Sequence, residues 1–236
     1  MRLIVTRPEE DAISLKARLE TLGHHVISTP LLRIMARDGV SLPDRPYQAI
    51  AITSANGIRT LKANHHLKSL RMLTVGPQSL QAANRAGFHH AEAQGGDVAG
   101  LADFIGANLR PKTGPILYLS GAETTGDLQA RLAALGFDVD RVTLYDAVPA
   151  DDLGAAAQAL RRSEADAVLL YSPRTARIWV GLAEGAGLVT DAKRPHYLCL
   201  SESVAAILPE TWEKSIAETP DDSAMMALLE QFQRTR

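Results

Sequence analysis

The chain has a single cysteine, Cys199, in 236 residues. That excludes intramolecular disulfides and a multi-cysteine metal site, and it fits a reducing compartment. There is no excess of positive charge: 25 Lys and Arg stand against 27 Asp and Glu, a formal net charge of −2. A general nucleic-acid binder needs a basic footprint, so no nucleic-acid partner is expected. No apolar run approaches the length of a membrane span. The opening MRLIVTRPEED turns acidic too soon for a signal peptide. A cytoplasmic protein with no membrane partner is expected. No GxGxxG follows a strand-like run, so the dinucleotide fingerprint is missing. Gly121 to Gly126 has the glycine spacing of a phosphate loop but lacks the Lys and Ser/Thr that must follow. What remains, 46% hydrophobic and 22% charged residues, is the composition of an ordinary globular protein of one large or two small domains.

What the chain does have is a repeat. Leu3 to Val26 returns as Ile116 to Val139 in the same hydrophobic register, 113 positions later. Leu15, Leu19 and Leu22 return as Leu128, Leu132 and Leu135, one helical stripe. Each copy ends its helix on a glycine, Gly23 and Gly136. Ala49–Ser54 returns as Ala167–Ser172, offset by 118, and Leu73–Gly76 returns more weakly as Leu198–Ser201, offset by 125. The drifting offset implies loop insertions between modules.

Apolar runs alternate with amphipathic stretches throughout. Strands are expected near 3–6, 26–30, 49–53, 72–75, 116–119, 140–145, 167–171, 197–200 and 214–217. Helices are expected near 9–22, 55–64, 77–86, 98–109, 125–135, 152–162, 174–184, 202–208 and 222–234. This alternation implies an α/β fold with parallel sheets covered by helices on both faces. Residues 30–37 and 144–149 break it by running extended without a helix start. Read as paired crossovers, they place residues 1–35 and 147–236 in one discontinuous domain and 38–143 in an inserted one. Each domain then takes pieces of both copies, and a cleft between two such units is a natural ligand site.

Small hydroxyl and glycine residues collect where strands end: Thr53-Ser54, Val75-Gly76-Pro77-Gln78-Ser79, Ser120-Gly121, Tyr171-Ser172-Pro173 and Ser201-Glu202-Ser203. Ligands of open α/β sheets bind outside these ends. Pro8, Pro77 and Pro173 fit the first helical position, and Ser54, Ser172 and Ser201 fit N-caps. Each serine is read equally well as a plain cap or as part of an anion site. Helix N-termini gathered at one cleft suit a ligand with several carboxylates, without a strongly basic protein. Six of the seven histidines fall in adjacent pairs, His24-His25, His65-His66 and His89-His90. Sequence neighbours point different ways, so solvated side chains are expected and no metal. Cys199 lies in an expected buried strand. Tyr145, at the second crossover, either packs the hinge or moves a proton.

The ordered set Val5-Thr6-Arg7-Pro8, Thr53-Ser54, Val75-Gly76, Ser120-Gly121, Leu144-Tyr145 and Tyr171-Ser172-Pro173, on a duplicated chain of this length, resembles the uroporphyrinogen-III synthase family. The resemblance implies two flavodoxin-like domains joined by a two-stranded linker. It also implies a cofactor-free lyase: the linear tetrapyrrole hydroxymethylbilane loses water and closes with its last pyrrole ring inverted. That substrate carries eight carboxylates. By resemblance, Tyr145 helps the hydroxyl leave, and Arg7, Ser54, Gly76, Ser79, Gly121 and Ser172 bind substrate. A monomer is expected. The chain departs from the family pattern at Ala55, at Thr125, where relatives are often basic, and at Ser201-Glu202-Ser203. A non-catalytic tetrapyrrole- or anion-binding protein on the same scaffold is the alternative.

Overall fold

A computed structural model describes residues 1–61, 65–94, 96–124 and 126–235. Residues 62–64 of the expected helix 55–64, and Thr125, lie outside the described residues, as does the His65 side chain. By contacts the chain divides into Met1–Arg33 with Val148–Arg236 (unit 1) and Ile34–Ala147 (unit 2).

The chain opens with β1 (Arg2–Val5), α1 (Glu9–Thr21) and β2 (His25–Ser28), followed by β3 (Leu32–Ala36). Unit 2 continues with β4 (Ala49–Ile52), α2 (Ala55–Thr60), α3 (His65–Lys68), β5 (Met72–Thr74), α4 (Pro77–Arg85), β6 (Ala91–Ala93) and α5 (Val98–Asn108). Then come β7 (Ile116–Gly121), α6 (Leu128–Ala134) and the long β8 (Val139–Pro149). Unit 1 resumes with α7 (Gly154–Arg161), β9 (Ala167–Leu170), α8 (Pro173–Gly185), α9 (Val189–Ala192), β10 (His196–Cys199), α10 (Glu202–Ala205), β11 (Lys214–Ile216) and α11 (Asp222–Arg234). Among the described residues no helix is long and apolar enough to cross a membrane.

Unit 1 holds the parallel sheet β11-β10-β9-β1-β2. Unit 2 holds β8-β7-β4-β5-β6, also parallel, with β3 added beside β8. Leu3 pairs Val26 and Ala167 in unit 1; its repeat partner Ile116 pairs Val139 and Ala49 in unit 2. Val168 pairs Tyr197, and its partner Ile50 pairs Met72. The two sheets are therefore one design with halves of the repeat exchanged. Starting from β1 or β7, each reads in the doubly wound order 2-1-3-4-5.

The alternation of side chains explains why the central strands read as unbroken apolar runs. In β4, Ile50 and Ile52 enter one core and Ala49 and Ala51 the other. In β9, Val168 and Leu170 face one side and Ala167 and Leu169 the other. Helices cover both faces, so these two strands have no place for a polar residue. Each buried Leu or Ile contributes about 1.5–3 kcal/mol. Trp179, Tyr197 and Trp212 anchor one face of unit 1. The Trp179 indole N–H donates to the Tyr197 oxygen at 3.0 Å, and the Tyr197 hydroxyl donates to the Ala192 carbonyl at 2.6 Å. The Trp212 ring stacks on Tyr197 at 4.9 Å.

Residues 30–37 contain a strand, Leu32–Ala36, where only an extended crossover was expected. The Arg37 N–H donates to the Leu144 carbonyl and the Ala150 N–H to the Leu31 carbonyl, so β3 runs opposite to β8. Arg37 pins this ladder through a bidentate pair with Asp146 at 2.7 and 2.8 Å. The Arg37 guanidinium also holds the Asp146 carboxyl below the usual carboxylate range. Pro8 is the N-cap of α1 rather than its first residue, while Pro77 and Pro173 do open their helices. His24 is buried at 6% exposure instead of solvated, because the turn after α1 folds it inward. Cys199 is fully buried, and burial pushes its thiol up to about 12.

Candidate active site

In unit 2 the carboxyl ends of β4, β5, β7 and β8 and the start of α5 enclose a cavity of about 550 Å³. Thr53 and Ser54 enter it after β4, Val75 after β5 and Gly121 from the end of β7, while Tyr145 enters from β8. Three of the expected site residues, Ser54, Gly121 and Tyr145, are brought together here. Ser54 caps α2, its Oγ accepting the Asn56 N–H at 3.2 Å. Asp97 caps α5, accepting the Gly100 N–H at 2.7 Å. Gly76 is the N-cap of α4. Ser79 lies on the buried face of that helix at 7% exposure, and neither residue is a cavity wall.

Tyr145 is held by its surroundings on several sides. Its ring belongs to the core with Ile52, Ile58 and Leu119 and is 7% exposed. The β7–β8 ladder slips between Ser120 and Gly121, bringing Gly121 opposite Tyr145. A bulge of this kind re-aims a side chain. The Ala122 N–H then donates to the Tyr145 carbonyl at 2.9 Å. Gly121 is required by the ring: a Cβ there would lie 2.7 Å from Cζ, 2.8 Å from Cε2 and 3.0 Å from the phenol oxygen. Arg141 braces the slip. Its Nε donates to Ser120 Oγ at 2.9 Å, and one terminal nitrogen donates to the Gly121 and Ala122 carbonyls at 3.0 Å each. Sequence reasoning missed Arg141. Its only signal is a charge within an otherwise half-buried strand.

The remaining expected residues stand in unit 1. Ser172 caps α8, accepting the Thr175 N–H at 3.1 Å. Ser201 takes the N-cap place of α10 but makes no cap bond; its hydroxyl meets Ser203 at 2.9 Å. Arg7 pairs with Asp222 at 2.7 Å and lies over the Tyr171 ring at 4.6 Å, so its charge is already matched. Among the described residues, no three His, Cys, Asp or Glu side chains are grouped to hold a metal ion.

A protein-family model described as uroporphyrinogen-III synthase HemD matches residues 13–227. The chain belongs to the uroporphyrinogen-III synthase family. The fold agrees. The uroporphyrinogen-III synthetase of Helicobacter pylori superposes with a TM-score of 0.66 at 16% identity, over 98% of this chain and 100% of that one. A mutant uroporphyrinogen III synthase from the extremely thermophilic bacterium Thermus thermophilus gives 0.55 at 18% identity, over 100% of both chains. Comparison with curated protein sequences finds no match. The uroporphyrinogen-III synthase family consists of cyclising lyases of tetrapyrrole biosynthesis, and this chain is one of them. Thr125, one of the departures from the family pattern, lies outside the described residues.

Proposed function

We propose that the unit 2 cavity is where this chain closes hydroxymethylbilane with loss of water and inversion of the last pyrrole ring. The observation that carries the reading is the meeting of Tyr145 with Ser54, Gly121 and the start of α5 in one cavity. A cavity of this size takes a drug-sized ligand, so it receives one end of the tetrapyrrole.

The chemistry asks little of side chains. The pyrrole nitrogen pushes the hydroxyl off its methylene carbon, leaving an azafulvene cation. The terminal ring then attacks through its substituted carbon and rearranges through a spiro intermediate. Holding that geometry is a proximity effect. Tyr145 is assigned the role of donor to the departing hydroxyl. A phenolic O–H is a hydrogen-bond donor. Backbone N–H groups at the helix starts, Gly76 and Ser79 among them, receive carboxylates, and Arg7 and Ser172 serve at the strand ends of unit 1. The reaction is proposed to run in a cytoplasmic monomer without a cofactor.

The test is Tyr145→Phe, with turnover measured beside melting temperature. A donor role predicts a folded protein slowed by about 10²–10⁴-fold, the usual worth of general acid help. Unchanged turnover would reduce Tyr145 to packing and remove it from the mechanism.

A further inference from the structure

The two units share one plan but differ at the carboxyl ends of their strands. In unit 1, Arg7 follows β1, Tyr171 follows β9 and Asp222 opens α11. Arg7 donates to Asp222 at 2.7 Å and covers the Tyr171 ring. The repeat carries Arg7 to Ser120 and Tyr171 to Thr53, and the matching helix caps Asp221 and Asp97 carry Asp222 to Val98. Those three residues cannot rebuild an ion pair over an aromatic ring. In unit 2 the corresponding room is open, and Thr53 and Val98 are walls of the cavity.

The first repeat pair, at offset 113, keeps one arginine in both copies. Arg18 of α1 corresponds to Arg131 of α6. In unit 1, burial raises the Tyr171 phenol's pKa, while the charges of Arg7 and Arg18 pull it back, which places Arg18 within electrostatic reach of that ring. In unit 2, Arg131 is a wall of the cavity, and its side chain has no ion-pair or hydrogen-bond partner among the described residues. A guanidinium facing open room presents two parallel donors to a carboxylate. Val98 and Ala99 bring first-turn N–H groups, which have no partner within their helix, to the same walls. Asp97 is spent on its cap.

We infer that Arg131 is a carboxylate subsite that grips one acidic arm of the tetrapyrrole and sets its register in the cavity. This rests on the cavity being the substrate site. The experiment compares wild type with Arg131→Gln and Arg131→Lys, using Arg85→Gln as a control. Arg85 is an exposed arginine in the last turn of α4, away from the cavity. Two readouts are taken: KM and kcat with hydroxymethylbilane, and equilibrium binding of uroporphyrin III by its fluorescence. Arg131→Gln should raise KM and weaken porphyrin binding on the order of tenfold, the loss of one charge-assisted pair. Its kcat should move far less, its KM should lose salt dependence, and Arg131→Lys should recover part of the affinity. Equal porphyrin binding by wild type and Arg131→Gln would overturn the inference. Because binding needs no turnover, it decides the role of Arg131 even if wild type forms no type III product, a result that would instead sink the assigned reaction.

Discussion

Gly121→Ala adds one methyl group where the structure has no space for it. The new Cβ would sit 2.7 Å from Tyr145 Cζ and 2.8 Å from Cε2. Unstrained carbon contacts lie near about 3.5–4.0 Å, so the ring must retreat by most of an ångström. Retreat is obstructed, because the ring is buried among Ile52, Ile58 and Leu119 and passes beside Gly57. Overpacking a filled site costs about 1–3 kcal/mol, which for a unit of this size lowers the melting temperature by roughly 4–13 °C. The larger effect falls on catalysis. A reacting group displaced by 1 Å costs on the order of 10²-fold, so kcat should fall by that order in a protein that still folds. The assay is turnover of hydroxymethylbilane by wild type, Gly121→Ala, Tyr145→Phe and the double variant, each with a melting curve. If the methyl group acts by displacing the phenol, it has little left to remove once the hydroxyl is gone. The losses should then fall well short of multiplying. A Gly121→Ala protein with wild-type kcat, or losses that multiply in full, would refute the argued link between the glycine and the tyrosine.

Ser54→Ala and Ser172→Ala should each cost a helix cap, about 0.5–2 kcal/mol of stability. They should change turnover little, because backbone donors remain; loss of activity in either folded variant would assign the hydroxyls a larger part. A Cβ at Gly76 meets nothing within 4 Å, so Gly76→Val should leave the melting temperature unchanged and harm only substrate approach. Ser79→Pro removes a first-turn N–H of α4 and should harm turnover more than either serine-to-alanine change, as steady-state kinetics with melting curves will show. Acid should weaken the fold through Glu92, whose pKa is lowered chiefly by its hydrogen bond to Arg71. A carboxylate with a depressed folded pKa contributes stability that is full above its unfolded value and is lost as pH falls through the folded one. Glu92→Gln should therefore flatten the melting temperature profile below about pH 4.5, and an unchanged profile would contradict this.

Much of the architecture was legible because both cores of each unit demand apolar runs at regular spacing. Ala49–Ile52 and Ala167–Leu170 announce themselves in composition, and duplication lets each confirm the other. β6 was not legible: Ala91-Glu92-Ala93 is a three-residue edge strand with no alternation to read. Residues 30–37 read correctly as extended, yet their pairing with β8 depends on a partner more than a hundred residues away. The same distance hides electrostatics. Arg7 looks like a free cation at a strand end until Asp222 is found beside it. Ser79 looks like a turn hydroxyl, but the helical period starting at Pro77 turns it inward. Arg131 and Arg141 go unread in the sequence, because their places depend on the cavity and on a one-residue slip of the β7–β8 ladder.

The central claim is a reaction with a stereochemical signature. Uncatalysed closure of hydroxymethylbilane gives the type I isomer, whereas closure with the last ring inverted gives type III. The most direct measurement incubates the purified protein with hydroxymethylbilane, oxidises the product and separates the isomers. Wild type should give mainly the type III isomer, with a shift toward type I in Tyr145→Phe. Type I alone from the wild-type protein, at the rate of the buffer control, would contradict it.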